Sequence, residues 1–213
     1  MPAPLIDLSI VRRPALAIGL SSGLVAYLAL FGILFAVPYY LAAKHVSEAW
    51  IGLQLAVLPV AIGVTAPIAG RLVDRFANTA LAAGGLLLAA AGLLEIALRH
   101  GTAGLLFGLA LAGLGLGAFT PANNAGVMSA SPPGHTGVVS GMLNMTRGLG
   151  TALGVAVSGA VFTAVAEVTG ANVARASGAA AGHGLTAALG VLGVLALLTG
   201  SALLWRARRA TRR

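Results

Sequence analysis

A single arginine interrupts the apolar run Ser140–Gly150, with Asn144 three residues before Arg147. The run follows a loop rich in proline and glycine by about ten residues. At ~1.5 Å per helical residue, Arg147 therefore lies deep in whatever apolar medium surrounds it. A guanidinium there costs at least ~2.5 kcal/mol, so it either faces a polar cavity or snorkels toward headgroups and backbone carbonyls. Tyr27, Phe31 and Gln54 are embedded in equally apolar sequence. A buried phenol or amide needs a hydrogen-bond partner or a wet cavity. Tyr27, Phe31, Gln54, Asn144 and Arg147 thus offer aromatic faces, amide dipoles and one cation. For Tyr27 and Arg147 a cavity and a packing or snorkelling role are both open, and none of these groups is arranged to break bonds.

Catalytic constellations are missing. The chain has no cysteine, and His45, His100, His135 and His183 are scattered in or beside loops, so no metal site is expected. Ser140 and Ser158 each precede a glycine, but Val138 and Ala156 stand where the serine turn of a membrane protease needs a second glycine. Lys44 is the only lysine, and no P-loop surrounds it. The glycines at 113, 115 and 117 lack the preceding strand that a dinucleotide fingerprint requires. Neither an enzyme nor a cofactor-binding protein is expected.

The elements that position these residues follow from composition. Of 213 residues, 58% are hydrophobic and only 8% charged, and the mean hydropathy is +0.96. A soluble domain carries about a quarter charged residues to wet its surface, so the solvent here is lipid. Crossing a bilayer takes roughly 20 apolar residues. Six stretches meet or approach this: Ala15–Ala43, Ile51–Gly70, Ala77–Leu98, Thr102–Asn123, Val138–Ala166 and Leu185–Trp205. Strand alternation is absent, so the expectation is an all-α integral membrane protein, a bundle of six transmembrane helices over residues 15–205. The first stretch is too long for a signal sequence and reads as a retained helix. Residues 1–14 read as an amphipathic cytoplasmic segment and 206–213 as a basic cytoplasmic tail.

The net charge of +8 suggests nucleic acid, but its distribution argues for topology. With six spans, Arg12, Arg13, Arg71, Arg75, Arg206, Arg208, Arg209, Arg212 and Arg213 share one face, against Lys44, Arg99 and Arg175 on the other. The positive-inside bias then puts both termini in the cytoplasm of a multi-pass protein of the cell membrane. Anionic headgroups are compatible partners for the tail; nucleic acid is not expected.

Within the spans, Gly113/Gly117, Gly137/Gly141 and Gly150/Gly154 have the spacing of close helix crossings. Pro59 and Pro67 are expected to bend the second helix. Glu95 and Arg99 are spaced as a surface ion pair. Asn123 and Asn124 either finish the fourth helix or line an inner mouth, and Asp74 can cap or face a helix N-terminus. Tyr39 and Tyr40 mark an interface belt, Glu167 belongs at the outer interface, and the sixth helix reads as peripheral and lipid-facing.

The loop GRLVDRF at Gly70–Phe76 resembles the cytoplasmic signature loop of the major facilitator superfamily. PLIDLSIVRRPALAIG, YLALFGILFAVPYYL, GLGLGAFTPANNA and SGMLNMTRGLGTALGVAVSG resemble, in order, segments of the C-terminal six-helix half of fourteen-span drug/proton antiporters. One departure is Ala77-Asn78-Thr79-Ala80, where that family usually carries glycine and further basic residues.

The resemblance implies one half of a major facilitator fold, built from 3+3 inverted repeats, with helices one, two, four and five lining a central substrate cavity walled by Tyr27, Phe31, Gln54, Asn144 and Arg147. It makes Gly70, Arg71, Asp74 and Arg75 a cytoplasmic gate loop against an opposite half. The implied function is proton-coupled efflux of drugs or other amphipathic small molecules, incomplete without a second six-helix half from a homodimer or a separate chain. The alternative is a truncated or non-transporting membrane subunit or scaffold that binds a partner half.

Overall fold

The computed structural model describes residues 13–99, 101–168 and 178–210, with side chains withheld at 166–168, 178, 179 and 210. Six helices follow in order: α1 Pro14–Ala43, α2 Glu48–Val73, α3 Asn78–Leu98, α4 Thr102–Ser129, α5 Thr136–Val168 and α6 Gly178–Ala210. All six are long and apolar enough to cross a membrane; even α3, with 21 residues, spans about 30 Å. Most of the expected leading segment, His100, Arg175, the Glu167 side chain, and Arg212 and Arg213 lie outside the described residues.

Sequence punctuation sets the ends. Pro14 opens α1, where its missing N–H is no loss. The same helix closes on a Schellman turn: His45 donates to Ala42 O at 2.9 Å and Val46 to Leu41 O at 3.2 Å, with His45 left-handed at φ 58°. Three helices run past their expected ends. α2 continues to Val73, so the first half of the expected loop Gly70–Phe76 is helical. α4 passes Asn123 and ends at Ser129, and α6 begins at Gly178 rather than Leu185.

The helices assemble as two equivalent triplets. α2 leans on α4 as α5 leans on α1, while α3 and α6 contact each other. This exchange of helices between triplets is the pattern of a 3+3 inverted repeat, one half of a major facilitator fold. α3 and α4 meet backbone to backbone: a Cβ at Gly85 would lie 2.7 Å from Gly115 O, and one at Gly108 would lie 2.8 Å from Gly92 O. Only glycine permits that approach, and in lipid such contact replaces the missing hydrophobic drive.

The sixth helix corrects its expectation. Leu185, Ala188, Leu189 and Leu192 are fully buried, and Thr186 Oγ1 donates to Ala97 O of α3 at 2.9 Å. Only its other face, with Val191, Val194 and Leu198, is exposed. The least covered helices are α2 and α5, with 11% and 22% of their apolar windows buried against half for α1 and α4. Tyr40 is likewise buried rather than interfacial, with Lys44 Nζ 4.6 Å from its ring centroid, and Tyr39 stacks on Phe35 and meets Phe162 edge-on.

Candidate cavity between the central helices

Two helices that rise from the same side bring the expected cavity residues together. Tyr27 follows Pro14 in α1 by about 20 Å of helix and Arg147 follows Thr136 in α5 by about 17 Å, so they share a depth well inside the spans. The α1–α5 crossing is tight enough to join them: a Cβ at Gly150 would lie 2.8 Å from Leu24 O, and one at Gly154 2.6 Å from Leu28 O. Arg147 Cζ stands 5.7 Å from the Tyr27 ring centroid, within cation–π range. Its Nη1 donates to Asn144 Oδ1 at 3.3 Å. Arg147 is half-buried and Asn144 exposed.

Tyr27 also borders a cavity of about 320 Å³ between α1, α2 and α4, shared with Ala26, Leu30, Ile62, Thr120 and Asn124. The walls are mainly aliphatic. Thr120 Oγ1 is occupied by its own helix, donating to Leu116 O at 2.8 Å. Tyr27 and Asn124 are left as the polar rim. This hollow suits the body of a lipophilic molecule, with a cation one ring away.

Two expected lining residues are placed elsewhere. Phe31 lies one turn beyond Tyr27 on α1, half-buried, but is not part of that wall. Gln54 lines a separate hollow of about 180 Å³ near Tyr40, Lys44, Arg99 and Thr102, and its Oε1 is buried without a partner among the described residues. The reason is position along α2: Gln54 is near its start, about 12 Å of helix before Ile62 and about 18 Å before Ala66, which reach the Tyr27 cavity. Glu95 and Arg99 do form their ion pair, Nε to Oε1 at 3.0 Å, on the surface of α3.

The glycine pairs divide in the same way. A Cβ at Gly113 would lie 2.6 Å from Leu58 O of α2, and Gly117 is similarly pressed by Ile62. Gly137 and Gly141, expected to form a crossing, meet nothing within 4 Å. They fall on the uncovered face of α5, four residues apart and in line with exposed Met145, Leu149 and Leu153, while Val139 and Leu143 turn inward to Leu16 and Val127.

At the α2–α3 turn, Gly70, Arg71, Asp74 and Arg75 are all exposed. With Ile68 and Phe76, the three charged residues border an open concavity of about 630 Å³. Asp74 is the C-cap residue of α2, and Ala77 takes the N-cap of α3 with no side-chain bond. The expected capping role is therefore not realised. A carboxylate at a helix C-terminus opposes the dipole, and among the described residues no side-chain partner within this chain offsets it.

One link was not expected. Ser22 Oγ donates to Asn123 Oδ1 at 3.1 Å, and both residues are buried. The bond joins α1 to α4 on the loop side of the Tyr27 cavity. The signal was the amide itself inside an apolar run, since a buried Asn requires a partner.

The profile of the Major Facilitator Superfamily matches residues 19–213. An uncharacterised transporter, YebQ of Escherichia coli K12, is 31% identical over 160 residues, covering 73% of this chain and 35% of that protein. The multidrug resistance protein Stp of Mycobacterium tuberculosis is 27% identical, covering 78% of this chain and 32% of its own length. The riboflavin transporter RibZ of Clostridioides difficile is 29% identical, covering 74% of this chain and 35% of its own length. The chain thus spans about a third of the length of the curated relatives it matches. With six bilayer-length helices in the arrangement of half a facilitator, the chain belongs to the Major Facilitator Superfamily, a family of membrane transporters rather than enzymes.

Proposed function

We propose that this chain is the C-terminal-type six-helix half of a proton-driven exporter of drugs or other amphipathic small molecules in the cell membrane, with both described ends of the bundle cytoplasmic. The observation that carries the reading is the aliphatic hollow beside Tyr27, between the central helices α1 and α4 and the flanking α2. A hollow of about 320 Å³ is at the small end of ligand cavities, as suits half of a site completed by an opposite wall. Relatives include a multidrug resistance protein and a riboflavin transporter, and neither name carries a substrate over to this chain.

The second wall comes from another six-helix half, supplied by a further copy or another polypeptide. Support lies in the uncovered stripes of α2 (Leu53, Val60, Val64, Ile68) and α5 (Met145, Leu149, Leu153), where Gly137 and Gly141 leave room for a close crossing. The partnerless Asp74 and its arginines would meet the same half. Proton coupling then resides largely across the interface, because Glu48, Asp74 and Glu95 lie at helix ends.

The test is gradient-dependent movement of N-phenyl-1-naphthylamine in proteoliposomes holding the cross-linked pair of halves. Uptake into inside-out vesicles that collapses with an uncoupler is expected. A stable pair that neither binds nor moves the dye would leave the scaffold reading in its place.

A further inference from the structure

Among the described residues, Arg147 has no carboxylate to pair with at its depth. The chain contains five acidic residues. Glu95 is committed to Arg99, Glu48 opens α2 and Asp74 closes it. Glu167 lies about 30 Å along α5 from Arg147, and Asp7 is outside the described residues. A guanidinium carries five N–H donors and no acceptor. The interactions it makes here are one bond to Asn144 Oδ1 and the face of Tyr27. The remaining donors are held in a low-dielectric site, half-buried, where an unpaired cation is costly and an arriving anion strongly favoured.

Resting on the efflux reading above, we propose that Arg147 selects substrates that are anionic amphiphiles: an aromatic or aliphatic body carrying one carboxylate or sulfonate. The anionic group binds the guanidinium beside Asn144, and the body occupies the aliphatic hollow on the other side of the Tyr27 ring. Tyr27 joins the two, being both 5.7 Å from the guanidinium and part of the cavity wall. Cationic amphiphiles are disfavoured, since this half places one positive charge and no negative one at that level.

Two probes with the same body separate charge from shape: 1-anilinonaphthalene-8-sulfonate and neutral N-phenyl-1-naphthylamine. Binding of each to the chain in zwitterionic nanodiscs is measured against empty discs, with tetraphenylphosphonium as the cation. The sulfonate is expected to bind about tenfold or more tightly than its neutral twin, the scale of a charge-assisted bond. Arg147→Gln removes that advantage and Arg147→Lys keeps most of it, read as the ratio of sulfonate to neutral-probe affinity in each variant. Retained neutral-probe binding shows that the Gln variant is folded. Equal losses for both probes, no loss for either, or preferred binding of the phosphonium overturns the proposal while leaving the efflux reading intact. So does an Arg147→Gln effect confined to association of two halves, which would make the anion a protein carboxylate. If phosphatidylglycerol discs lower sulfonate affinity as far as Arg147→Gln does, the anion is a lipid headgroup and the substrate assignment falls. Failure of both the sulfonate and the neutral probe to saturate sinks both readings.

Discussion

Ser22 of α1 donates a hydrogen bond to Asn123 of α4 at 3.1 Å, with both residues buried. The two central helices also meet where Leu16 and Gly19 of α1 pack on Val127 of α4. A Cβ at Gly23 would lie 3.2 Å from the Asn123 amide nitrogen, so small α1 residues wrap that side chain. The bond and this packing together hold α1 against α4 beside the Tyr27 cavity, while the same Ser22 hydroxyl also reaches Gly19 O of its own helix at 3.1 Å.

Breaking it has a modest cost, because polar pairs between membrane helices contribute about 0.6 kcal/mol on average and up to ~1.7. Ser22→Ala is expected to destabilise the bundle by about 1 kcal/mol. Asn123→Leu costs more, since its branched end has no room beside Gly19 and Gly23. A double-mutant cycle in detergent unfolding reads the coupling directly. No coupling between the two positions would show the bond to be incidental.

Two glycine pairs of identical spacing predict opposite outcomes. Gly154→Val drives a side chain into Leu28 O, where a Cβ alone would stand at 2.6 Å, whereas Gly141→Val enters open space. The first is expected to lose about 2–3 kcal/mol, the scale of overpacking. The second leaves the melting temperature of the isolated chain unchanged but weakens association with a second half. Melting curves and cross-linking yield the two numbers separately. Equal destabilisation by both would mean that the α1–α5 crossing is misplaced.

That contrast shows how far residue order can be read unaided. Apolar runs of bilayer length mark the six spans because lipid leaves helices few alternatives. Helix ends are less legible. α2 and α4 continue through polar residues, Arg71 and Asn124, because a helix does not stop where its apolar stripe does. Facing direction is harder still. Spacing belongs to one helix, whereas Gly117 meets Ile62 and Gly141 meets nothing only because of where neighbouring helices stand. Tyr27, Asn144 and Arg147 converge because α1 and α5 rise together from one side. Gln54 does not join them, since α2 descends and carries it to the opposite end.

Asp74 invites a sharper test of the missing half. Its side chain has no partner in this chain among the described residues and opposes the α2 dipole. Asp74→Asn is accordingly expected to leave the stability of the chain within about 0.5 kcal/mol, the range of surface substitutions, or to raise it slightly. Transport by the assembled pair is expected to fall at least tenfold. Thermal denaturation and dye movement measured on the same preparation decide the matter. A large stability loss would mean that Asp74 serves this bundle instead.

Orientation and cavity access can be read together, since the chain has no native cysteine to confuse labelling. Arg71→Cys, at the end of α2, and Lys44→Cys, in the α1–α2 turn, sit at opposite ends of the bundle. A membrane-impermeant maleimide is expected to label Arg71→Cys in inside-out vesicles only and Lys44→Cys in right-side-out vesicles only. Asn144→Cys is the informative third. It is exposed in this bundle but lies about 12 Å along α5 from Thr136, deep enough that lipid alone would shield it. A thiol facing lipid does not ionise, and the thiolate is what reacts. Labelling of Asn144→Cys from the Arg71 side therefore requires a water-filled groove reaching Arg147. Protection by 1-anilinonaphthalene-8-sulfonate would place the anion in that groove. Complete inertness from both sides would mean that the Arg147 neighbourhood is dry, and a transport path through this half would lose its entrance.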